Sequence, residues 1–325
     1  MRWEVTLPLP GLPLRGHREL VEALPDLGWS GVWTGEGGGL DGLTPLAAAA
    51  AWQPRLRVGT GVLPVQTRGP AVLAQTAAAL AGLTDAGVLL GVGSSVPAHV
   101  TALNGIGFDR PYARVRDTVR FLRAAVRGQL VDEDYATFAV RGFRLPAPAR
   151  PPKIVVGALR PRMVRLGLDE GDGVITNILS AADLGAVLAA AGPVPGGKEI
   201  VVKVFVCPTE DARFARATGR RFLGWITNQP PYRAFHDWLG RGAQLAASRA
   251  AFDAGDIQRA GAAIPDDVVD ALWVHGSPDE CRARLAAFAQ AGVSTVLVYL
   301  APTPEPLPLA ATLSALRPTD SQSRH

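Results

Sequence analysis

Apolar positions along the chain follow two alternating rhythms. Short, mostly continuous apolar runs at Trp3–Leu7, Gly31–Thr34, Arg57–Val62, Val88–Val92, Lys153–Gly157, Gly173–Thr176, Glu199–Val206 and Gly292–Leu300 predict strands. Between them, apolar residues recur at helical spacing, as at Val115, Val119 and Leu122 within Arg110–Arg127. Further helices are predicted from Leu20 to Leu27 (with Gly28 as the stop), from Thr44-Pro45 to Trp52, over Pro70–Leu80, from Pro278 to Gln290 and over Leu307–Leu316. The clearest unit is Arg57–Ser95, a strand, a helix opening on Pro70 and a second strand ending in Gly91-Val92-Gly93. Two buried strands joined by a crossover helix must be parallel and covered. Ligands in such folds sit beyond the carboxyl ends of the strands.

Eight strands alternating with helices predict a (β/α)8 TIM barrel, a single domain over residues 1–317, with a polar tail at 318–325. An open doubly wound sheet is the competitor, but no early strand carries the dinucleotide fingerprint with its later acidic residue. Two insertions interrupt the repeat. Tyr135–Leu145 alternates around Arg141-Gly142 and predicts a small hairpin after the fourth helix. Residues 224–270, after the seventh strand, are too long for a simple connection, and read either as a lid over the substrate or as a packed excursion on the flank.

Composition narrows the class. With 48% hydrophobic and 19% charged residues, the 325-residue chain suits a globular core. The net charge of +4 comes without a Lys/Arg block, so nucleic-acid binding is not expected. Cys207 and Cys281 have no metal-ligand spacing, nor do His17, His236, His275 and His325, so no metal is expected. Met1–Leu7 enters directly into a strand and Leu46–Trp52 is far short of the roughly 20 residues that span a bilayer. A soluble, cytoplasmic protein is the expectation.

Candidate chemistry gathers at the strand ends. Gly157-Ala158-Leu159-Arg160-Pro161-Arg162-Met163 passes from strand into helix, where free N–H groups and Arg160 or Arg162 suit an anion; the alternative is an ordinary turn with solvated arginines. The Gly35-Glu36-Gly37-Gly38-Gly39 loop is either a closely approached backbone or plain surface. Taken in order, Val58-Gly59-Thr60-Gly61-Val62, Pro70–Gln75, Leu89–Gly93, Val156-Gly157-Ala158, Gly171–Ile175, Gly276–Glu280 and Ala291-Gly292-Val293 resemble the bacterial-luciferase-like superfamily. Within it, the branch using the deazaflavin coenzyme F420 is the most similar, with the FMN branch as the alternative.

That resemblance implies several placements. The Gly61–Val62 peptide would be cis, and Thr60, Gly61 and Val62 would form a bulge supporting the tricyclic ring. Gly91, Gly93 and Ser94 would line the ring's other side, and Gly157, Ala158, Leu159, Arg160 and Met163 would hold the phosphate. Asn177 would contact the cofactor tail, with Lys153, Arg160, Arg162 and Arg165 offering it positive charge. The aspartate-histidine pair of the sugar-phosphate and alcohol dehydrogenases is replaced by Glu36-Gly37, and the acid and asparagine after strand four fall near Val96 and His99. Two polar groups are then left as catalytic candidates. Glu36 either hydrogen-bonds ring or substrate or lies in solvent, and His99 is either a proton donor or a residue on the outer face of a short helix. The implied activity is F420-dependent hydride transfer to an activated C=C, C=N or carbonyl group of a small substrate, by a homodimer. The rivals are an FMN-dependent monooxygenase and a non-catalytic cofactor binder.

Overall fold

In the computed structural model, residues 1–304 and 308–317 are described. The expected tail at 318–325, and Leu307 at the start of the closing helix, lie outside those residues. Eight strands form the barrel: β1 Arg2–Thr6, β2 Gly31–Thr34, β3 Arg57–Thr60, β4 Val88–Gly93, β5 Lys153–Gly157, β6 Gly173–Asn177, β7 Glu199–Cys207 and β8 Thr295–Leu300. Each pairs in parallel with the next, and β8 returns to β1 in the register Arg2↔Thr295, which closes the sheet. The predicted barrel is the observed one. Leu63–Pro64 adds a short pairing to the end of β4, and Val274–His275 does the same at the end of β7.

The helices in the regular βα positions are α1 Arg18–Ala23, α2 Thr44–Trp52, α3 Pro70–Ala81, α4 Pro111–Ala125, α5 Pro161–Asp169, α6 Ala181–Ala191, and later α12 Pro278–Ala286 and α13 Leu309–Ala315. Proline opens α3, α4, α5 and α12, where its missing N–H costs no helical bond. Ser180 with Asp183, and Ser277 with Glu280, close capping boxes on α6 and α12. The predicted helix at 278–290 is divided, since Ala287–Ala291 tightens into a 3-10 turn before Gly292.

The two insertions differ from their sequence reading in detail. The hairpin pairs Val131–Asp134 with Ala139–Phe143, so its turn is Tyr135–Phe138 and not Arg141-Gly142. Apolar packing decides this: Phe138 and Phe143 both pack on buried Phe121 of α4, which fixes the register from the helix side. The excursion after β7 is wholly helical, with α7 Ala212–Ile226, α8 Pro230–Trp238, α9 Ala246–Asp253, α10 Ile257–Ala262 and α11 Asp266–Leu272. It has its own apolar core, including Leu223, Leu245, Ile264 and Trp273, continuous with Ile178 and Phe205 at the barrel end. At its centre α7 and α10 touch through Gly224 and Gly261, where a Cβ on Gly224 would lie 2.5 Å from Gly261 Cα. The Asp183–Arg241 ion pair at 2.7 Å pins it to α6. It is a packed wall over the ends of β6–β8.

Strand alternation sorts the barrel interior into floors. Outward residues such as Val58, Ile154, Val174 and Val202 pack under the helices. Inward ones form a middle floor of Trp33, Leu89, Val155, Ile175, Val201 and Leu297. Below it, at the amino ends of the strands, Arg57 bonds Glu4 Oε1 at 2.8 Å and Thr295 Oγ1 at 2.6 Å, and reaches Glu199 Oε2 at 3.4 Å. The barrel is therefore plugged, and its chemistry is confined to the upper floor.

Candidate functional site

The upper floor is built on a break in β3. After Thr60 the chain makes a cis peptide between Gly61 and Val62, as the resemblance implies. Thr60 Oγ1 accepts from Gly91 N at 2.8 Å and donates to Gly91 O at 2.9 Å, tying the bulge to β4 where the backbone ladder lapses. A Cβ on Gly91 would lie 1.9 Å from Thr60 O, so this approach requires glycine. From the other side, Glu36 N donates to Val62 O at 3.2 Å. Val62 itself projects over the floor, where Cβ atoms on Gly93 and Gly157 would come within 3.0 and 3.1 Å of its methyls. Gly61, Gly91, Gly93 and Gly157 thus leave a wall of bare backbone on the β3–β5 side of the mouth.

Beside it, the β5–α5 turn opens a helix with no side-chain cap and no acidic residue in its first turn. Ala158 N is taken by Ile175 O, while Arg160, exposed, serves as N-cap. Arg162 lies over the Tyr112 ring at 4.1 Å, so its guanidinium is held against α4. Leu159 and Met163 pack against the core behind the turn. Ser94, half-buried, follows β4 and turns its hydroxyl to Ser95 O. Two of the charges expected near the cofactor tail lie elsewhere. Lys153 is at the amino end of β5, paired with Glu199 at 2.7 Å, and Arg165 is bound to Asp169 and Pro193 O.

The two catalytic candidates have clear surroundings. Both carboxylate oxygens of Glu36 are engaged by Arg68, with Nε contacts of 3.2 and 2.9 Å and an Nη2 contact of 2.5 Å. That pairing occupies part of the Glu36 carboxylate and braces the glycine loop. His99 stacks on Trp225 of α7 with ring centroids 5.2 Å apart, and a Cβ on Gly37 would sit 3.3 Å from its ring. It lies half-buried between the β2 loop and the excursion. Burial lowers the His99 pKa from its ordinary value, which favours the neutral imidazole.

On the opposite wall stand Asn177, named from the resemblance, and Lys203, which the sequence reading did not single out. Asn177, at the end of β6, accepts a hydrogen bond from Tyr232 Oη of α8 at 3.0 Å. Burial pushes the Tyr232 phenol up to about 12, so it stays a donor. Next to Asn177 in the sheet register stands Lys203 of β7, below Phe205 and beside Tyr299. Strict alternation in Glu199–Cys207 puts Val201, Lys203 and Phe205 on the inward face, a signal present in the sequence. A cavity of about 650 Å³ lies on the α4 flank, rimmed by Arg116, Arg120 and Glu133, and one of about 490 Å³ lies at the carboxyl ends of β1 and β8, among Pro10, Leu300 and Leu309. Among the described residues, no cluster of His, Cys, Asp and Glu is placed to hold a metal ion, and no helix is long and apolar enough to cross a membrane.

The luciferase-like monooxygenase family profile matches residues 4–295. The chain belongs to that family. Its relatives include 5,10-methylenetetrahydromethanopterin reductase of Methanolobus tindarius, 25% identical over 297 residues, covering 89% of this chain and 90% of the relative. A Mycobacterium tuberculosis protein named as a candidate coenzyme F420-dependent oxidoreductase is 28% identical over 319 residues, covering 88% and 91% of the two chains. Among solved structures, the F420-dependent tetrahydromethanopterin reductase of Methanopyrus kandleri superposes with TM-score 0.77 at 18% identity, covering 97% and 96%. The FMN complex of a Baeyer–Villiger monooxygenase component from Pseudomonas putida superposes with TM-score 0.64 at 16% identity, covering 97% and 96%. These superpositions show the shared barrel.

Proposed function

We propose that the protein is an F420-dependent oxidoreductase that reduces an activated C=C, C=N or carbonyl group of a small organic substrate. The bare-backbone wall of Gly61, Gly91, Gly93 and Gly157, standing beside the uncapped start of α5, carries this reading, because it offers a flat ring site next to an anion site. The relatives named as F420-dependent support the choice of carrier. Bound reduced deazaflavin supplies a hydride. The chain does the rest: the bulge at Gly61–Val62 sets the depth of the ring, and the α5 N–H groups with Arg160 bind the phosphate. His99 and Trp225 close the mouth from the excursion side, and the Glu36–Arg68 pair holds the β2 loop in place. Asn177 and Tyr232 line the far wall.

We also propose a cytoplasmic homodimer. Its support is the absence of any charged side chain in α2 and α3, two neighbouring helices of the barrel's outer ring. Size-exclusion chromatography with light scattering reports a dimer mass under this reading and a monomer mass against it.

Fluorescence titration of the purified protein with F420 and with FMN, each oxidised and reduced, tests the function. Saturable F420 binding at least tenfold tighter than FMN is the expected result. Preference for FMN moves the protein to the oxygen-using reading, and binding of neither removes the catalytic one.

A further inference from the structure

The chain has three lysines, and two of them are spoken for. Lys153 Nζ pairs with Glu199 at 2.7 Å, and Lys198 Nζ donates to Gly171 O at 2.6 Å. Lys203 has no ion-pair or hydrogen-bond partner among the described residues; its Nζ lies only over aromatic rings, 5.2 Å from the Tyr299 centroid and 5.6 Å from Phe205. The register places it level with Asn177 on β6 and Leu297 on β8, on the inward face above the apolar plug. The titratable groups facing it are Tyr299 from β8 and, through Asn177, Tyr232 from α8. Among the described residues no carboxylate pairs with it: Glu199 of the same strand lies in the bottom floor, bound by Arg57, Lys153 and Ser294. Without a counter-charge, burial brings the Lys203 pKa down to about 8.

An ammonium held in a ligand pocket by ring faces alone lacks an oxygen acceptor. A substrate oxygen satisfies that need, and a cationic substrate opposes it. We propose that Lys203 Nζ is the substrate-contacting acid of this pocket, and that it selects neutral or anionic substrates bearing a carbonyl oxygen on, or conjugated to, the reducible bond, against cationic iminium ions. This rests on the proposed F420-dependent reduction and removes the cationic C=N class from its three substrate classes. For an enone, the β-carbon gains the hydride and the C=C electron pair shifts to leave an enolate. The enolate oxygen takes the Nζ proton, the enol relaxes to the ketone, the carrier leaves oxidised, and the neutral amine regains its proton from water.

Two arms test this. Reductive methylation with ¹³C-formaldehyde gives few lysine signals in ¹H–¹³C NMR, assignable through Lys203→Arg. The Lys203 signal in the cofactor-free protein is expected to titrate well below the ordinary value of about 10.4. In the second arm, reduced F420 is presented with 2-cyclohexen-1-one and with N-methyl-3,4-dihydroisoquinolinium. The wild type is expected to favour the enone at least 100-fold in kcat/KM. Lys203→Met should lose about 100-fold on the enone, lose the basic limb of its pH profile near 8, and gain at least tenfold on the iminium. Lys203→Arg should restore KM without restoring kcat, since guanidinium does not release its proton.

An ordinary Lys203 titration, a wild-type preference for the iminium, or a Lys203→Met pH profile matching wild type each overturns the inference. So does a wild type that binds reduced F420 and reduces neither compound. Failure to bind F420 at all is instead the failure of the function reading, seen in the cofactor titration, and the NMR arm then decides the state of Lys203 by itself.

Discussion

The barrel's bottom floor makes a quantitative demand on Arg57. Its guanidinium serves Glu4, Glu199 and Thr295 at once, and Glu4 is completely buried. Replacing it by methionine fills most of the volume but strands the carboxylates unequally. Glu199 keeps Lys153 at 2.7 Å and Ser294 at 3.0 Å. Glu4 keeps only neutral donors, Trp33 Nε1 and Ser30 Oγ. A buried pair broken from one side costs about 3–5 kcal/mol, most of it from the charge left behind. In a chain of this size that corresponds to a fall in Tm of about 4–7 °C. Adding Glu4→Gln to Arg57→Met removes the stranded charge while the side-chain oxygen still accepts from Trp33, so more than half the loss should return.

The measurement is thermal and urea unfolding of Arg57→Met, Glu4→Gln and the double variant. A single variant within about 2 °C of wild type, or a double variant less stable than Arg57→Met alone, refutes the account. A pH series adds a second reading. Burial alone would raise the Glu199 pKa, but Lys153, Arg57 and Ser294 outweigh it and hold Glu199 below its ordinary 4.5. A depressed carboxylate stabilises the fold above its unfolded pKa, and that part is lost as pH falls through the folded value. Wild type should therefore lose stability below about pH 4.5 more steeply than Arg57→Met, which has already forfeited part of that term.

Further outcomes follow from the upper floor. Arg160→Ala should weaken F420 binding about tenfold at low salt and less at 0.5 M, since the contact is charge-assisted and exposed; unchanged affinity by fluorescence titration removes Arg160 from the site. Glu36→Gln should lower Tm by a few degrees, on the order of 2–5 °C, while keeping measurable turnover; lost turnover at unchanged Tm would make Glu36 a catalytic group. Gly157→Ala brings a methyl to 3.1 Å from Val62 Cγ1, a contact that a small shift of Val62 relieves. Its cost should therefore appear as at least tenfold weaker cofactor binding with a Tm change under about 3 °C, and a large Tm loss with normal binding contradicts the wall.

What the sequence exposed and what it hid divide along physical lines. Strands and helices of the barrel were legible because each buries one periodic set of side chains, and periodicity is local information. The hairpin turn was misplaced because its register is decided by Phe138 and Phe143 packing on Phe121, a helix partner that alternation alone does not contain. Lys153 and Arg165 look like available cations until their partners Glu199 and Asp169 are placed, and Glu36 looks free until Arg68 folds onto it. Lys203 is the reverse case. It is one charge within Ile200-Val201-Val202-Lys203-Val204-Phe205-Val206, and alternation already puts it inside the barrel. Between inward Val201 and Phe205, a lysine carries a desolvation cost. Among the described residues no carboxylate offsets that cost, which makes the proposed substrate oxygen the partner to test.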